Sequence, residues 1–136
     1  MNNQVDWQVT NQKISKKLEK LGVKQESLWW WIKTRVRSNN TTWKDEWIIA
    51  DKCNYIDPNS NLDTCIEHYS AFTVAELGKL LPDYYETSHN RAYWLCKPNS
   101  VDFYEIADTE ADARGLMLIY LIENNLIKIG EIKCKK

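Results

Sequence analysis

Three consecutive tryptophans, Trp29 to Trp31, constrain the fold of this chain more than any other feature of its 136 residues. They stand in the segment SLWWWIKTRVR, whose aromatic and β-branched residues favour a strand. Successive side chains of a strand point to opposite faces, so one face of a sheet cannot bury all three rings. The fold must therefore cover both faces of this strand or leave tryptophan at a surface.

The strand register divides the run into two sets of different chemistry. Leu28, Trp30 and Ile32 share one face, which predicts that Trp30 is a core residue. Trp29 and Trp31 share the other face with Lys33 and Arg35, and cations resist burial. We expect this second face to be an aromatic platform at the surface, with Trp29 and Trp31 as the interaction pair; the alternative is that a helix covers it.

The segment EWIIADK, residues 46–52, reads as the antiparallel return of this strand, after a polar loop over residues 36–45. Tryptophan on the return strand can join the platform across the hairpin, since facing aromatic side chains attract. The predicted binding platform consists of Trp29, Trp31, Lys33, Arg35, Arg37, Trp43 and Trp47.

Helices are predicted at three places from apolar spacing and capping residues. Residues 10–22 carry one apolar stripe, with Gly22 suited to the position after the helix end. Thr73 with Glu76 forms a capping box, and Thr109 with Asp112 forms a second one that opens a helix reaching about Glu123. This last helix is apolar around most of its circumference, so we expect it to be covered on two sides.

Three aromatic segments between the last two helices read as strands, whereas residues 55–70 start with turn composition, from Asp57 to Asn61, and show no clear period. Runs of strands with tight turns predict a single α+β domain over residues 1–136, with a mostly antiparallel sheet and about three helices packed on it. Residues 1–8 and 129–136 are expected to fray. The predicted core contains Trp30, Ile32, Ile48, Leu77, Leu80, Trp94, Leu116, Tyr120 and Leu121.

Charge and hydropathy narrow the classes of partner. The net charge is −1, although residues 1–37 hold 8 Lys and Arg against 3 Asp and Glu. No global field attracts nucleic acid, so a long nucleic acid is not expected as a partner. The start lacks a signal-peptide pattern, and the longest apolar run, residues 115–122, is too short for a membrane span. The chain is therefore expected to be cytoplasmic, without membrane contact and with free thiols.

Patterns for metal binding and catalysis are weak. Cys65 and His68 form a C-x2-H pair with Cys53 before it, but the second close pair of a structural zinc site is missing. The 4 glycines are not clustered into a phosphate loop, and no pattern places a histidine beside Cys96 or Cys134. We expect no metal, no cofactor and no catalytic residue, with an enzyme as the third interpretation.

The stretches LGVKQESLWWWI, AFTVAELGKLLP and TEADARGLMLIYLIENNLI together resemble a group of small uncharacterised proteins of bacteriophages and integrated mobile elements of gut bacteria. The similarity runs roughly over residues 9–128. Members usually carry Phe-Tyr-Trp in place of Trp29-Trp30-Trp31 and Ala-Lys in place of Gly115-Leu116. The resemblance implies an accessory context and supplies neither an activity nor site residues.

Together these features predict a non-catalytic accessory protein that acts by binding a protein partner. Self-association is the simplest way to cover an aromatic platform. The alternative is that the Trp/Arg platform sequesters a small nucleotide or a nucleic-acid segment, because aromatic faces beside arginine stack bases.

Overall fold

The computed structural model describes residues 8–38, 42–51, 65–82, 85–98 and 103–128, and within these ranges it has a mixed α+β fold. None of the helices in these ranges has the length and apolarity needed to cross a lipid bilayer. The elements, in chain order, are α1 (Gln12–Lys20), β1 (Trp29–Ser38), β2 (Thr42–Asp51), β3 (Cys65–Ala71), α2 (Val74–Leu80), β4 (Tyr85–His89), β5 (Trp94–Pro98), β6 (Glu105–Ala107) and α3 (Glu110–Glu123).

The strands form two antiparallel sheets of three, whereas the sequence predicted one sheet. The first sheet has the order β2-β1-β3 and the second has the order β4-β5-β6. Helix α3 contacts all three strands of the second sheet as well as α1 and α2, and α1 also packs against β3. Helix α3 is thus covered by the second sheet on one side and by α1 and α2 on another, and α1 links it to β3 of the first sheet.

The central position of α3 confirms the prediction that this helix is covered on two sides. Its buried residues recur on every side of the helix rather than on one stripe. They build the main core together with Ile14 and Leu18 of α1, Leu77 of α2 and Cys96 of β5. The buried residues of α3 are Ala111, Ala113, Gly115, Met117, Leu118, Ile119, Leu121 and Ile122.

The helix ends follow the predicted capping residues. Asn11 caps α1 by accepting the N–H of Ile14 at 2.8 Å, and Gly22 follows the helix with φ 91°. The side chains and backbones of Thr73 and Glu76 form both halves of the capping box of α2. These parts of the fold depend on local interactions alone.

The capping box predicted for α3 forms only in part. Thr109 accepts the N–H of Asp112 at 3.1 Å. The carboxylate of Asp112 accepts the backbone N–H of Asn11 at 2.8 Å and its side-chain amide at 3.3 Å. Burial raises the pKa of Asp112, and these hydrogen bonds offset part of the shift. Asp112 therefore joins the first turns of α1 and α3.

Two segments differ from what the sequence predicted. Residues 36–45 were predicted as a polar loop, but β1 and β2 continue into them and pair up to Ser38 and Thr42. No strand was predicted within residues 55–70, yet Cys65–Ala71 forms β3 and pairs with β1 from Trp29 to Thr34. The turn composition at the start of that range lies outside the described residues. Pairing with β1 stabilises β3 although its own composition shows no period.

The predicted core is confirmed in part. Trp30, Ile32, Leu77 and Leu121 are buried. The other predicted core residues are partly buried and pack against the buried clusters: Ile48, Leu80, Trp94, Leu116 and Tyr120.

Candidate functional site

Trp31 is a core residue, and the prediction that it lies at a surface is wrong. Only 6% of its side chain is exposed, and it packs with Val9 and Ala71. Its Nε1–H donates to the carbonyl oxygen of Thr10 at 2.6 Å. The segment that precedes α1 crosses this face of the first sheet, with a β-bridge between Val9 and Thr73, so the indole is covered on the side where solvent was expected.

Two further rings of the predicted platform, Trp29 and Trp47, are partly buried. Trp29, Trp47 and Ile49 pack against the same cluster as Trp31. The ring of Trp47 lies 6.1 Å from that of Tyr69, and the Nζ of Lys33 lies 5.9 Å from the Trp47 ring. Burial and a hydrogen bond to Glu67 raise the pKa of Tyr69. This face is therefore a half-covered aromatic surface rather than an open one.

Carboxylates accompany the cations of the platform. Lys33 Nζ lies 4.0 Å from Asp45 and 3.8 Å from Glu67, and Arg35 Nε lies 3.3 Å from Asp45. Each of these cations thus has an acidic neighbour that competes with a phosphate group. Arg37 and Trp43 are cross-strand partners in the β1–β2 ladder, and their side chains lie outside the described part of the structure.

Trp30 has the structural role that the sequence predicted. It is buried on the opposite face of β1, and its Nε1–H donates to the carbonyl oxygen of Ser27 at 3.0 Å. Its ring lies 5.4 Å from that of His68. The second histidine, His89, stacks on Trp94 in the other sheet, at 4.5 Å. Across the described ranges, His, Cys, Asp and Glu side chains do not gather into a group of three that could hold a metal ion.

The inner face of the second sheet packs on α3 and is mostly apolar. It carries Trp94 and Cys96 of β5 with their cross-strand partner residues Ala107 and Glu105 of β6. Burial raises the pKa of the Cys96 thiol to about 12, and burial also raises the pKa of Glu105. A thiol that stays protonated is a poor nucleophile, so Cys96 is a packing residue.

The outer face of the second sheet exposes apolar side chains that the sequence did not single out. Leu95 of β5 lies directly opposite Ile106 of β6. Ile106 is 44% exposed, and Tyr104, two residues earlier in the same strand phase, is 52% exposed. We call Leu95, Tyr104 and Ile106 the outer strip; it is the most exposed aromatic and aliphatic group on either sheet for which the structure describes side chains.

Alternation along the chain does not reveal the outer strip. In the segments YWLCK and FYEIAD, apolar residues occupy both strand faces, so the pattern does not show which face is buried. The position of α3 decides this, because Phe103, Trp94 and Cys96 pack on that helix and leave the other phase outside. Only the tertiary structure therefore shows which face of β5 and β6 is buried.

The charges beside the outer strip balance each other. Glu86 of β4 lies directly opposite Lys97 of β5, and Ser88 lies opposite Leu95. The outer strip is thus flanked by one charge of each sign. Such a surface suits a protein contact better than a polyanion, which needs several cations together.

Two clefts accompany these surfaces. One, of about 380 Å³, borders β3 beside Trp30 and Glu67, and another, of about 650 Å³, opens between the first turns of α2 and α3 beside Trp94 and Glu110. Glu110 is engaged by Arg114 at 2.8 Å, and Glu67 lies 3.8 Å from Lys33. These carboxylates serve internal ion pairs, which disfavours a role in acid–base chemistry.

Within the described ranges, the fold is that of a small α+β protein with three helices and two three-stranded antiparallel sheets. Comparison with protein-family models, with curated proteins and with solved structures finds no significant match.

Proposed function

We propose that this chain is a non-catalytic accessory protein that acts by binding another protein through the outer strip. The observation that carries the proposal is the exposure of Ile106 and Tyr104, 44% and 52%, on a sheet face where Leu95 adds a third apolar side chain. Contiguous exposed apolar groups with a polar rim mark interaction sites. The resemblance to phage and mobile-element proteins supplies the accessory context.

The partner that fits this surface presents an apolar patch of its own. The rim offers one acidic and one basic residue, Glu86 and Lys97, so the partner needs no excess of either charge. Tyrosine beside aliphatic side chains is typical of the centre of protein interfaces. Self-association belongs to the same proposal, as the simplest form of protein binding.

Sequestration of a nucleotide by the first sheet is the weaker candidate. Stacking of a base requires open aromatic faces, and Trp31 is buried while Lys33 and Arg35 have acidic neighbours. Titration of mono-, di- and cyclic nucleotides against tryptophan fluorescence tests this candidate. Saturable quenching would favour it over protein binding.

The test of protein binding starts from a partner captured from host lysate and purified, and it measures affinity for variants of this chain by calorimetry. Ile106→Asp and Tyr104→Asp should each weaken binding at least about 10-fold, since central apolar contacts dominate interface energy. Leu126→Asp is the matched control, because Leu126 is 49% exposed but lies after α3. Equal affinity of Ile106→Asp and the unaltered protein would contradict the proposal.

A further inference from the structure

The free edge of the second sheet is the feature that goes beyond the proposed function. In the order β4-β5-β6, β4 has a neighbour on one side only among the strands that the structure describes. The hairpin that joins β4 to β5 is closed by the N–H of Asn90, which donates to the carbonyl oxygen of Tyr93 at 3.1 Å. This bond fixes which backbone groups of β4 face β5 and which face outward.

Hydrogen-bonded and non-hydrogen-bonded pairs alternate along an antiparallel ladder. Because Asn90 and Tyr93 form a hydrogen-bonded pair, His89, Thr87 and Tyr85 occupy non-hydrogen-bonded positions relative to β5. Their N–H and C=O groups therefore point away from the sheet. β4 presents three donors and three acceptors in a row at its outer edge.

The other sheet edges carry features that discourage pairing. β2 carries exposed charges at Lys44, Asp45 and Glu46, and β6 has only three residues. On β3, the outward N–H of Ser70 is occupied by the side-chain oxygen of Gln25 at 2.7 Å. β4, with the sequence YETSH, has one charge and no proline. Of the edges that the structure describes, β4 is the one most open to another strand.

We infer that β4 pairs antiparallel with β4 of a second copy, about a two-fold axis at Thr87, to give a continuous six-stranded sheet. In this register Tyr85 faces the partner's His89 and Thr87 faces the partner's Thr87. All outward backbone groups of both strands are then paired, which gives six hydrogen bonds along the junction. The inference rests on the self-association included in the proposed function.

Backbone pairing favours this register over both of its neighbours. Moving the axis by one residue, to Glu86 or to Ser88, leaves one outward residue of each strand without a partner on the facing strand, so four hydrogen bonds remain instead of six. The axis at Glu86 also places the two Glu86 carboxylates face to face, and like charges directly opposite are destabilising. With the axis at Thr87, Glu86 lies beside the partner's Ser88 and all outward groups are paired.

The paired arrangement keeps the outer strip free. A strand added at the edge lies in the plane of the sheet, so Leu95 and Ile106 stay on the open face. The two copies then present two outer strips on one six-stranded sheet. A two-fold symmetric partner that binds one outer strip is then held close to the second strip, so its effective concentration at that strip is increased.

Charge substitutions at Ser88 test the register by sedimentation equilibrium, because Ser88 is exposed and meets the partner's Glu86 twice per dimer. Ser88→Glu should weaken the dimer about 2- to 30-fold, and Ser88→Lys should strengthen it by a similar factor. Ala75→Glu and Ala75→Lys, at an exposed position of α2, are the matched controls and should change nothing. Equal effects of the two Ser88 variants would overturn the pairing.

Cross-linking gives an independent readout. An equimolar mixture of Glu86→Cys and Ser88→Cys chains should form a disulfide-linked heterodimer on mild oxidation, since facing residues of this pair type have Cα atoms about 4.5 Å apart. Each variant alone, and the unaltered chain with its native cysteines, should form less. More efficient cross-linking of Glu86→Cys alone would assign the other register and overturn this one.

The experiments separate the two proposals. A dimer that ignores charge at Ser88, in a protein whose partner binding is lost with Ile106→Asp, overturns the strand pairing and leaves the proposed function in place. A dimer that responds to Ser88 in a protein whose partner affinity is unchanged by Ile106→Asp overturns binding through the outer strip and supports the pairing. A strict monomer at every concentration overturns the pairing.

Discussion

The indole of Trp31 stabilises the protein both by burial and by its hydrogen bond to Thr10. Trp31→Ala should lower the free energy of unfolding by about 3–5 kcal/mol, as aromatic truncations in cores do. Trp31→Phe keeps most of the packing but removes the N–H that donates to the Thr10 carbonyl, which retains the longer bond from the Ser15 hydroxyl at 3.2 Å, so we expect a smaller loss of about 0.5–1.5 kcal/mol. Urea denaturation measures both.

Leu28→Ala is the control for these variants, because Leu28 neighbours the same run but is 64% exposed. Its effect should stay within about 0.5 kcal/mol. If Trp31→Ala were as mild as Leu28→Ala, the segment before α1 would not cover this face. Substitutions within one segment thus differ in their effect on stability according to how far other residues cover the side chain.

Cys96 should resist alkylation in the folded protein. Burial raises the pKa of its thiol from an ordinary 9.0 to about 12, so the reactive thiolate is scarce at pH 8. Labelling with iodoacetamide, followed by peptide mass spectrometry, should modify Cys96 at least about 100-fold more slowly in the folded protein than in denaturant. Comparable rates in the two states would show that this strand opens readily.

The same thiol makes stability depend on alkaline pH. The folded protein holds the thiol proton more tightly than the unfolded chain does. The thiol therefore makes its full contribution to the free energy of unfolding at pH values below the unfolded pKa. It is lost as the pH rises from 9.0 towards about 12. In Cys96→Ala this part of the decline should be absent when unfolding is measured across that range.

Helices α1 and α3 cross at Gly115 with no room for a side chain. A Cβ atom at this position would lie 2.7 Å from Cγ2 of Ile14 and 2.9 Å from Cγ2 of Thr10. Gly115→Ala should therefore destabilise the protein by about 1–3 kcal/mol, despite the roughly 0.5–1 kcal/mol that alanine contributes within a helix. Thermal denaturation measures the loss.

Ile14→Ala provides the background that tests the cause. It removes the methyl group that the new Cβ would meet, so adding Gly115→Ala to it should cost less than adding it to the unaltered protein. Equal losses in both backgrounds would mean that the helices separate rather than clash.

Helices were predictable from the sequence because their signals are local. The caps at Asn11 and Thr73 and the end near Glu123 depend on neighbours within four residues. Glu76 shows the limit of such reasoning. Its capping role is readable, but its carboxylate also accepts the hydroxyl of Ser27 at 2.7 Å and the N–H of Leu28 at 3.0 Å, and so fixes the start of β1.

Strands and surfaces were less predictable because distant elements decide them. β3 forms where the sequence shows no clear period, because pairing with β1 stabilises it. Trp31 was assigned to a surface because nothing in residues 8–10 signals that they cross the sheet. The outer strip was missed because alternation on β5 and β6 places apolar residues on both faces. Each of these errors arose because the sequence does not show which distant element lies against a given strand.

Arg114 connects three elements across the molecule. Its guanidinium donates to Glu110 at 2.8 Å, to the hydroxyl of Thr87 on β4 at 3.3 Å and to the carbonyl oxygen of Val74 on α2 at 3.4 Å. Arg114→Lys should cost about 1–3 kcal/mol, because an ammonium group cannot reach all these acceptors at once.

The salt dependence of the stability change distinguishes this network from ion pairs at the surface. The side chains of Arg114 and Glu110 are 15% and 24% exposed, so the effect of Arg114→Lys on unfolding should persist in high salt. Lys24→Ala, which removes an exposed pair with Glu26, is the control and should have little effect in any buffer. If high salt removed the effect of Arg114→Lys on the free energy of unfolding, the network would have to be exposed to solvent.

The late place of α3 in the chain determines when the core can form during synthesis. This helix supplies half of the described residues that form the main core, yet it is synthesised roughly 90 residues after α1. At a translation rate of about 5–20 residues per second, the apolar stripe of α1 waits several seconds for its partner. The nascent chain therefore cannot complete its core during most of its synthesis, and the apolar side chains of α1, α2 and β5 stay uncovered until α3 has emerged.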